Sequence, residues 1–282
     1  MTVWFITGAS RGFGLEIAKV ALERGDSVVA TARNPQAVLD ALPDAGDQLL
    51  AVELDVHRPE QITAAVDSAI TRFGRIDALV NNAGRGLVGA IEETSDAEAR
   101  AAFDVNVFGL LAVTREVLPH MRAGRSGTVI NISSVGGFVA WAGWGIYSAT
   151  KFALEGLSEA MRLELAPLGI TVVAVEPGPF RTDFLDGSSL HVAEKQIGDY
   201  EASGGAARMW ATDNNQAQAG DPRKAAEIIV GLADRDDVPE RIQLGANAVE
   251  SVAAKLEQTG RDLEAWKDIA LSADFEQEPA QG

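Results

Sequence analysis

The amino-acid sequence predicts an α/β fold: a doubly wound parallel β-sheet of about seven strands, with helices on both faces, built as one domain. Three observations predict it. Short, continuously apolar runs alternate with helical periods, the pattern of a sheet covered on both faces. The first run ends at a glycine-rich turn that opens directly into a helix. The chain is 282 residues long, enough for one large, well-buried core.

The elements follow in order. Val3–Thr7 is an apolar run ended by Gly8 and reads as a buried strand. Residues 14–24 carry Leu15, Ile17, Ala18, Val20, Ala21 and Leu22 at helical spacing, and Gly25 stops them. Ser27–Ala32 is the second strand, and Pro35 opens a short helix. The third strand, 49–54, is closed by Asp55. A helix over 60–73 sets Ile62, Ala65, Val66, Ala69, Ile70 and Phe73 on one side, before a fourth strand at 76–80. One long helix is expected over 96–121, a strand at Gly127–Ile132, a helix over 147–165 and a strand at 170–175. Such alternation implies right-handed crossovers in a parallel sheet.

After Pro177-Gly178-Pro179 the character changes. Residues 183–220 are glycine-rich and weakly periodic, which suggests a substrate-binding loop or lid. A strand returns at Arg241–Leu244, and two modest helices are expected at 248–258 and 262–271. The resulting division is a catalytic domain over 1–245 and a C-terminal helical extension over 246–282, with a frayed acidic tail from Phe275.

Net charge is −17, which disfavours nucleic acid and anionic membrane as partners. Residues 183–282 hold 20 Asp and Glu against 9 Lys and Arg, so −11 of that charge lies there. No apolar run is long enough to span a membrane, and no secretory leader pattern precedes Val3. Cysteine is absent, which removes disulfides and thiolate chemistry and fits a reducing, cytoplasmic location. His57, His120 and His191 are scattered without ligand spacing, so no metal is expected.

The turn Thr7-Gly8-Ala9-Ser10-Arg11-Gly12-Phe13-Gly14 has the strand before it and the helix after it that a dinucleotide site needs. Glycine allows close backbone approach to a pyrophosphate, and the helix start offers free N–H groups. The segment Gly8-Ala9-Ser10-Arg11-Gly12 also fits a hydrolase nucleophile elbow on Ser10. That elbow needs an oxyanion-hole loop upstream, and only seven residues precede Gly8. At the end of the second strand, Ala30-Thr31-Ala32-Arg33 lacks the carboxylate that accepts from a ribose 2′-hydroxyl. Arg33, with Arg11 in the turn, favours a 2′-phosphate and hence NADP(H) over NAD(H).

Tyr147 and Lys151 stand at i and i+4 on one predicted helix face. An ammonium about 5 Å from a phenol, at an effective dielectric of about 20, favours the phenolate by roughly 3 kcal/mol. The expectation is a tyrosine pKa lowered by about two units, making a usable general acid or base. Ser133-Ser134 ends the fifth strand and can place a hydroxyl at the mouth of the sheet.

These residues together resemble the short-chain dehydrogenase/reductase family in its compact, single-domain, Rossmann-type form. The resemblance covers about residues 3–182 and rests on motifs in the family's order. The glycine turn resembles the cofactor turn, with Gly8, Ser10, Arg11, Gly12, Phe13 and Gly14 as its members. Asp55-Val56 resembles the pair that contacts adenine, and Asn81-Asn82-Ala83-Gly84 the motif after the fourth strand. Ser134 lies thirteen residues before Tyr147, the family's spacing, with Ser133 off by one. Pro177-Gly178, with Phe180 and Thr182, resembles the segment that grips the nicotinamide carboxamide.

The resemblance implies roles. Tyr147 exchanges the proton, Lys151 lowers its pKa and binds the nicotinamide ribose, Ser134 holds the substrate oxygen, and Asn106 links Lys151 to solvent through water. It implies homodimers or homotetramers, with 96–121 and 147–165 as candidate contact helices. The expected function is an NADP(H)-dependent oxidoreductase acting on a carbonyl or secondary alcohol. A nucleotide-sensing regulator is the alternative, and a Ser10 hydrolase a third reading. Trp141, Trp144, Phe184 and Leu185, with Phe138, Met209 and Trp210 nearby in sequence, suggest an apolar pocket for an uncharged substrate. Arg85 and Arg181 have no assigned place.

Overall fold

The computed structural model describes residues 1–275. Its main sheet has seven strands, all parallel. They are β1 (Val3–Thr7), β2 (Ser27–Ala32), β3 (Leu49–Glu53), β4 (Ala78–Asn81), β6 (Gly127–Ile132), β7 (Ile170–Pro177) and β9 (Arg241–Leu244). Two further short strands, β5 (Gly86–Val88) and β8 (Leu190–Val192), form a separate parallel pair. The order across the main sheet is β3-β2-β1-β4-β6-β7-β9, so strand order reverses beside β1. In such sheets the ligand crevice lies outside the carboxyl ends of the strands at that reversal.

The pleat divides the core. Trp4 and Ile6 of β1, with Val28, Val80, Ile130 and Val173, pack on one face against α1 (Gly12–Glu23), α2 (Pro35–Ala41) and α8 (Pro222–Gly231). Phe5, with Val29, Leu79, Val129 and Val172, packs on the other against α3 (Pro59–Phe73), α5 (Leu110–Gly124) and α6 (Gly145–Leu165). Both faces being covered explains why the strands read as apolar runs rather than alternating ones.

Four expectations are corrected. The long helix expected over 96–121 is α4 (Asp96–Phe103) and α5, joined by a π-helical stretch, Asp104–Gly109. The 183–220 segment contains β8 and α7 (Ala206–Asp213), because Val88, Leu190, Ala207 and Ala211 make a small core of their own. Helix α8 was not foreseen, although Asp221 caps it by accepting from the Arg223 and Lys224 N–H groups and Pro222 occupies its first turn. The two C-terminal helices are one, α9 (Ala246–Leu271). Gly260 costs only about 1 kcal/mol within a helix and does not break it. Ala248 and Val252 seat its start against Val135 and Phe138. Most of the expected frayed tail, 276–282, lies outside the described residues.

Candidate active site

The crevice at the strand ends is a cleft of about 1050 Å³. Its floor on one side is the glycine turn. Gly8 and Gly12 take positive φ values of 67° and 55°, which L side chains avoid. A Cβ on Gly14 would stand 2.4 Å from the Gly8 carbonyl oxygen, so only glycine allows α1 to start so close to β1. Helix α1 has no capping side chain and no acid in its first turn. Its leading N–H groups and positive dipole end therefore remain available to an anion. Asn82 fixes the turn: its amide donates to the Thr7 and Gly8 carbonyls at 2.9 and 3.0 Å. Thr7 Oγ1 in turn accepts from the Asn82 and Ala83 N–H groups. These observations fit the diphosphate of a dinucleotide.

The second half of the floor is the end of β6 and the face of α6. Ser134 and Tyr147 meet there, the serine hydroxyl within hydrogen-bond reach of the phenol. The Gly136 N–H donates to Ser134 Oγ at 3.0 Å and orients it. Ser133 also borders the cleft, but its hydroxyl is buried beside Gly137. Lys151 Nζ donates to the Ile132 carbonyl at 2.8 Å and lies 5.9 Å from the centre of the Tyr147 ring. Asn106 sits buried in the π-helical stretch, a distortion often found at functional sites. Its amide donates to the Arg85 carbonyl and to Thr150 Oγ1, and its Oδ1 accepts from the Arg85 N–H. Asn106 thus stands behind Gly84, whose position is also close to Lys151 Nζ.

The electrostatics correct one expectation. Burial pushes the Tyr147 phenol up to about 12, against a smaller lowering effect from Ser134. Burial likewise brings Lys151 down to about 8, opposed by the Glu155 carboxylate. Desolvation outweighs the attraction between phenolate and ammonium, and the Ile132 carbonyl holds the ammonium. A lysine with a value near 8 is nevertheless poised to gain or lose charge close to neutrality.

Most of the other residues expected from sequence line this one cleft. Ser10, Arg11, Phe13, Arg33, Asp55, Val56, Asn82, Ala83 and Gly84 line it, and so do Pro177, Gly178, Phe180, Thr182, Trp141, Trp144, Phe184 and Leu185. Phe180 also stacks on Phe13, their ring centres 5.2 Å apart. Arg33 is exposed at the end of β2, whereas Arg11 is engaged elsewhere. Arg11 donates to Ser188 Oγ at 2.7 Å, the Ser188 carbonyl at 2.9 Å and Ser189 Oγ at 2.8 Å, tying the glycine turn to the lid. Asp55 accepts from the His57 N–H and ring, so that carboxylate is held below its ordinary range despite burial.

An aromatic wall stands over the tyrosine. Phe184 lies 5.4 Å and Trp144 6.0 Å from the Tyr147 ring, and Trp210 packs edge-on against Trp144 at 6.3 Å. Phe138 packs against α9 and Met209 is exposed; neither borders the cleft. Arg85 does border it, and Arg181 does not. Asn247 and Ser251 of α9 were missed: they reach the cleft across nearly the whole chain, and no local pattern marks them.

The match to known proteins agrees with this geometry. Residues 2–192 match the family model described as short chain dehydrogenase. The chain belongs to the short-chain dehydrogenase family. It is similar to a crystallised short-chain dehydrogenase of Streptomyces avermitilis, with 41% identity and a TM-score of 0.90 over 97% of this chain and 100% of that one. An oxidoreductase of Botryotinia fuckeliana is 35% identical over 96% of this chain and 98% of its own. A 3-ketodihydrosphingosine reductase of Bacteroides thetaiotaomicron is 37% identical over 85% of this chain and 86% of its own. The protein is thus an oxidoreductase of this family, with the family's α/β sheet, and acts on small molecules. Among the described residues no helix is long and apolar enough to cross a membrane.

Proposed function

We propose that this short-chain dehydrogenase uses NADP(H) to interconvert a carbonyl and a secondary alcohol on a small, uncharged, moderately apolar substrate. The observation that carries the reading is the meeting of Ser134, Tyr147 and Lys151 at the strand ends, in the same cleft as an uncapped helix start. When bound, the nicotinamide supplies or accepts the hydride. The chain does the rest. Ser134 Oγ holds the substrate oxygen and steadies charge developing on it. Tyr147 gives that oxygen its proton in reduction, or removes it in oxidation. Lys151, cationic below about pH 8, stabilises the phenolate left behind and binds the ribose. Asn106 holds the backbone at Arg85 and the α6 hydroxyl of Thr150, and so fixes the helix that carries both groups.

Arg33 supports the phosphorylated cofactor: it is exposed on the cleft, with no carboxylate at the end of β2. Asp55 and Val56 border the adenine end, and Gly178 and Thr182 the nicotinamide end. Trp144, Trp210 and Phe184 line the cleft around Tyr147 and support an apolar substrate. Phe108, Phe152 and Leu163 are exposed on the contact helices, which supports a homodimer or homotetramer. The lack of cysteine supports a cytoplasmic location. The test is to follow nicotinamide absorbance with NADPH and a panel of neutral ketones and charged 2-oxo acids. Turnover confined to the charged acids would overturn the substrate class.

A further inference from the structure

Directly behind the catalytic strand end lies a group of charges that the reaction does not use. Among the described residues Arg241 of β9 is its only guanidinium, and four carboxylates approach it. Its Nε stands 2.9 Å from Glu155 Oε2, and its Nη2 stands 2.7 Å from Glu159 and 3.3 Å from Glu240. Glu176 of β7 is 3.9 Å away. Glu159 and Glu240 reach solvent, but the Glu155 and Glu176 side chains are 6% and 0% exposed. Gln243 donates to Glu176 Oε2 at 2.9 Å. The remaining oxygens, Glu155 Oε1 and Glu176 Oε1, have no donor among the described residues, and both carboxyl groups converge on the same Arg241 Nε.

Two buried carboxylates cannot face each other bare. Removing an ionised carboxylate from water costs several kcal/mol, and like charges add to it. A proton between them resolves both faults, because one acid then donates to the other's free oxygen. Ser133 Oγ, also without a partner, borders the same spot through Gly137. We propose that Glu155 and Glu176 share one proton, and that Glu155 is a positioning residue that sets the charge of Lys151. The link is short: Glu155 follows Lys151 by one helical turn on α6. Glu176 follows Val175, which pairs with Ile132, the residue whose carbonyl holds Lys151 Nζ.

The groups facing the pair are Lys151 and Glu159 from α6, Arg241 from β9 and Glu240 just before it. Burial and Glu155 together outweigh Gln243 and Arg241, so Glu176 is raised to about 7. The sign of its effect on stability follows. A carboxyl raised in the folded state keeps a proton that the unfolded chain has lost. Stability is therefore full below the ordinary carboxylate range and falls as pH rises through about 7. The proton comes from solvent and returns to it, so no other reactant is required.

Infrared spectroscopy of the full chain is the first test. At pH 6 the wild type shows the carbonyl band of a protonated carboxylic acid, which fades as pH passes 7 and is missing from both Glu176→Gln and Glu155→Gln. Absence of that band in the wild type overturns the shared proton, whatever the variants do. Thermal unfolding is the second. The midpoint of Glu176→Gln gains on the wild type between about pH 5 and pH 8; parallel curves overturn the proposal. The positioning role rests on the proposed reaction and is read by pH profiles. In Glu155→Gln the alkaline fall of kcat moves to lower pH by about one pH unit, with KM little changed, and Glu155→Asp restores it. A superimposable profile overturns the role of Glu155. An acid band in a protein that reduces no carbonyl overturns the reading of function and leaves the pair standing.

Discussion

Tyr147 shows how little a side chain's chemistry can be read apart from its surroundings. Its spacing to Lys151 promises an acidified phenol, yet burial holds it near 12 in this structure. Beyond the lowering by Ser134, a cation counts for more there because the cleft is of low polarity. Tyr147→Phe keeps the ring packing on Trp144 and Phe184 and removes only the proton. Turnover is expected to fall at least ~100-fold, while cofactor affinity measured by fluorescence quenching stays within about twofold. Arg33 carries the other prediction at this scale. In Arg33→Ala, NADPH affinity falls roughly tenfold or more and NADH affinity is unchanged, because one charge-assisted phosphate contact is lost. Equal changes for both cofactors in a binding titration would refute the assignment. The residue at the same site that gave least warning is Arg11, which meets the lid at Ser188 and Ser189 instead of standing free.

At the scale of elements, an ion pair between Glu93 and Arg208 adds to the Arg11 bonds that hold the lid. Glu93, fully buried, accepts from Arg208 of α7 at 2.6 Å, and also from the Ala90 and Ile197 N–H groups. The Arg208 bond, followed by those backbone donors, holds Glu93 at about 2. Its value is depressed on folding. The stability it confers is therefore present above the ordinary carboxylate range and lost as pH falls toward 2. Breaking the pair leaves an uncompensated buried charge. Arg208→Ala is expected to speed limited proteolysis within 193–215 by roughly tenfold and to raise substrate KM more than cofactor KM. No local pattern marks this pair, since its members lie 115 residues apart. The π-helical stretch was equally hidden: Asp104 to Gly109 keeps a helical period, and only the packing of Asn106 on Arg85 and Thr150 shows the register has slipped.

For the whole molecule, the exposed apolar side chains of Phe108 in the π-helical stretch and of Phe152 and Leu163 on α6 offer the faces for self-association. Phe152 is 46% exposed one position after Lys151, and Leu163 is 74% exposed further along α6. Replacing Phe152 by Glu places a charge in any contact made there. Light scattering after size exclusion should then report a smaller particle than wild type, with the unfolding midpoint of the dilute protein little changed. An unchanged mass would move the contact elsewhere. Helix α9 runs the other way: it begins against Val135 beside the cleft and leaves the body, its residues from Ala253 onward exposed.

The sheet, its two covered faces and the glycine turn were determined by sequence alone, because each depends on neighbours a few positions apart. Apolar runs, helical periods and backbone freedom at Gly8, Gly12 and Gly14 are local properties. The candidate site was legible for a related reason: every parallel strand ends at the same edge, so residues following strands must gather there. Long-range burial and charge were decided by tertiary structure. It alone set the values of Tyr147 and Lys151, sent Arg11 to the lid and brought Asn247 and Ser251 of α9 to the cleft. It also brought Glu155, Glu176 and Arg241 together. Such energies depend on which distant groups exclude water, and that is fixed only once the chain has packed.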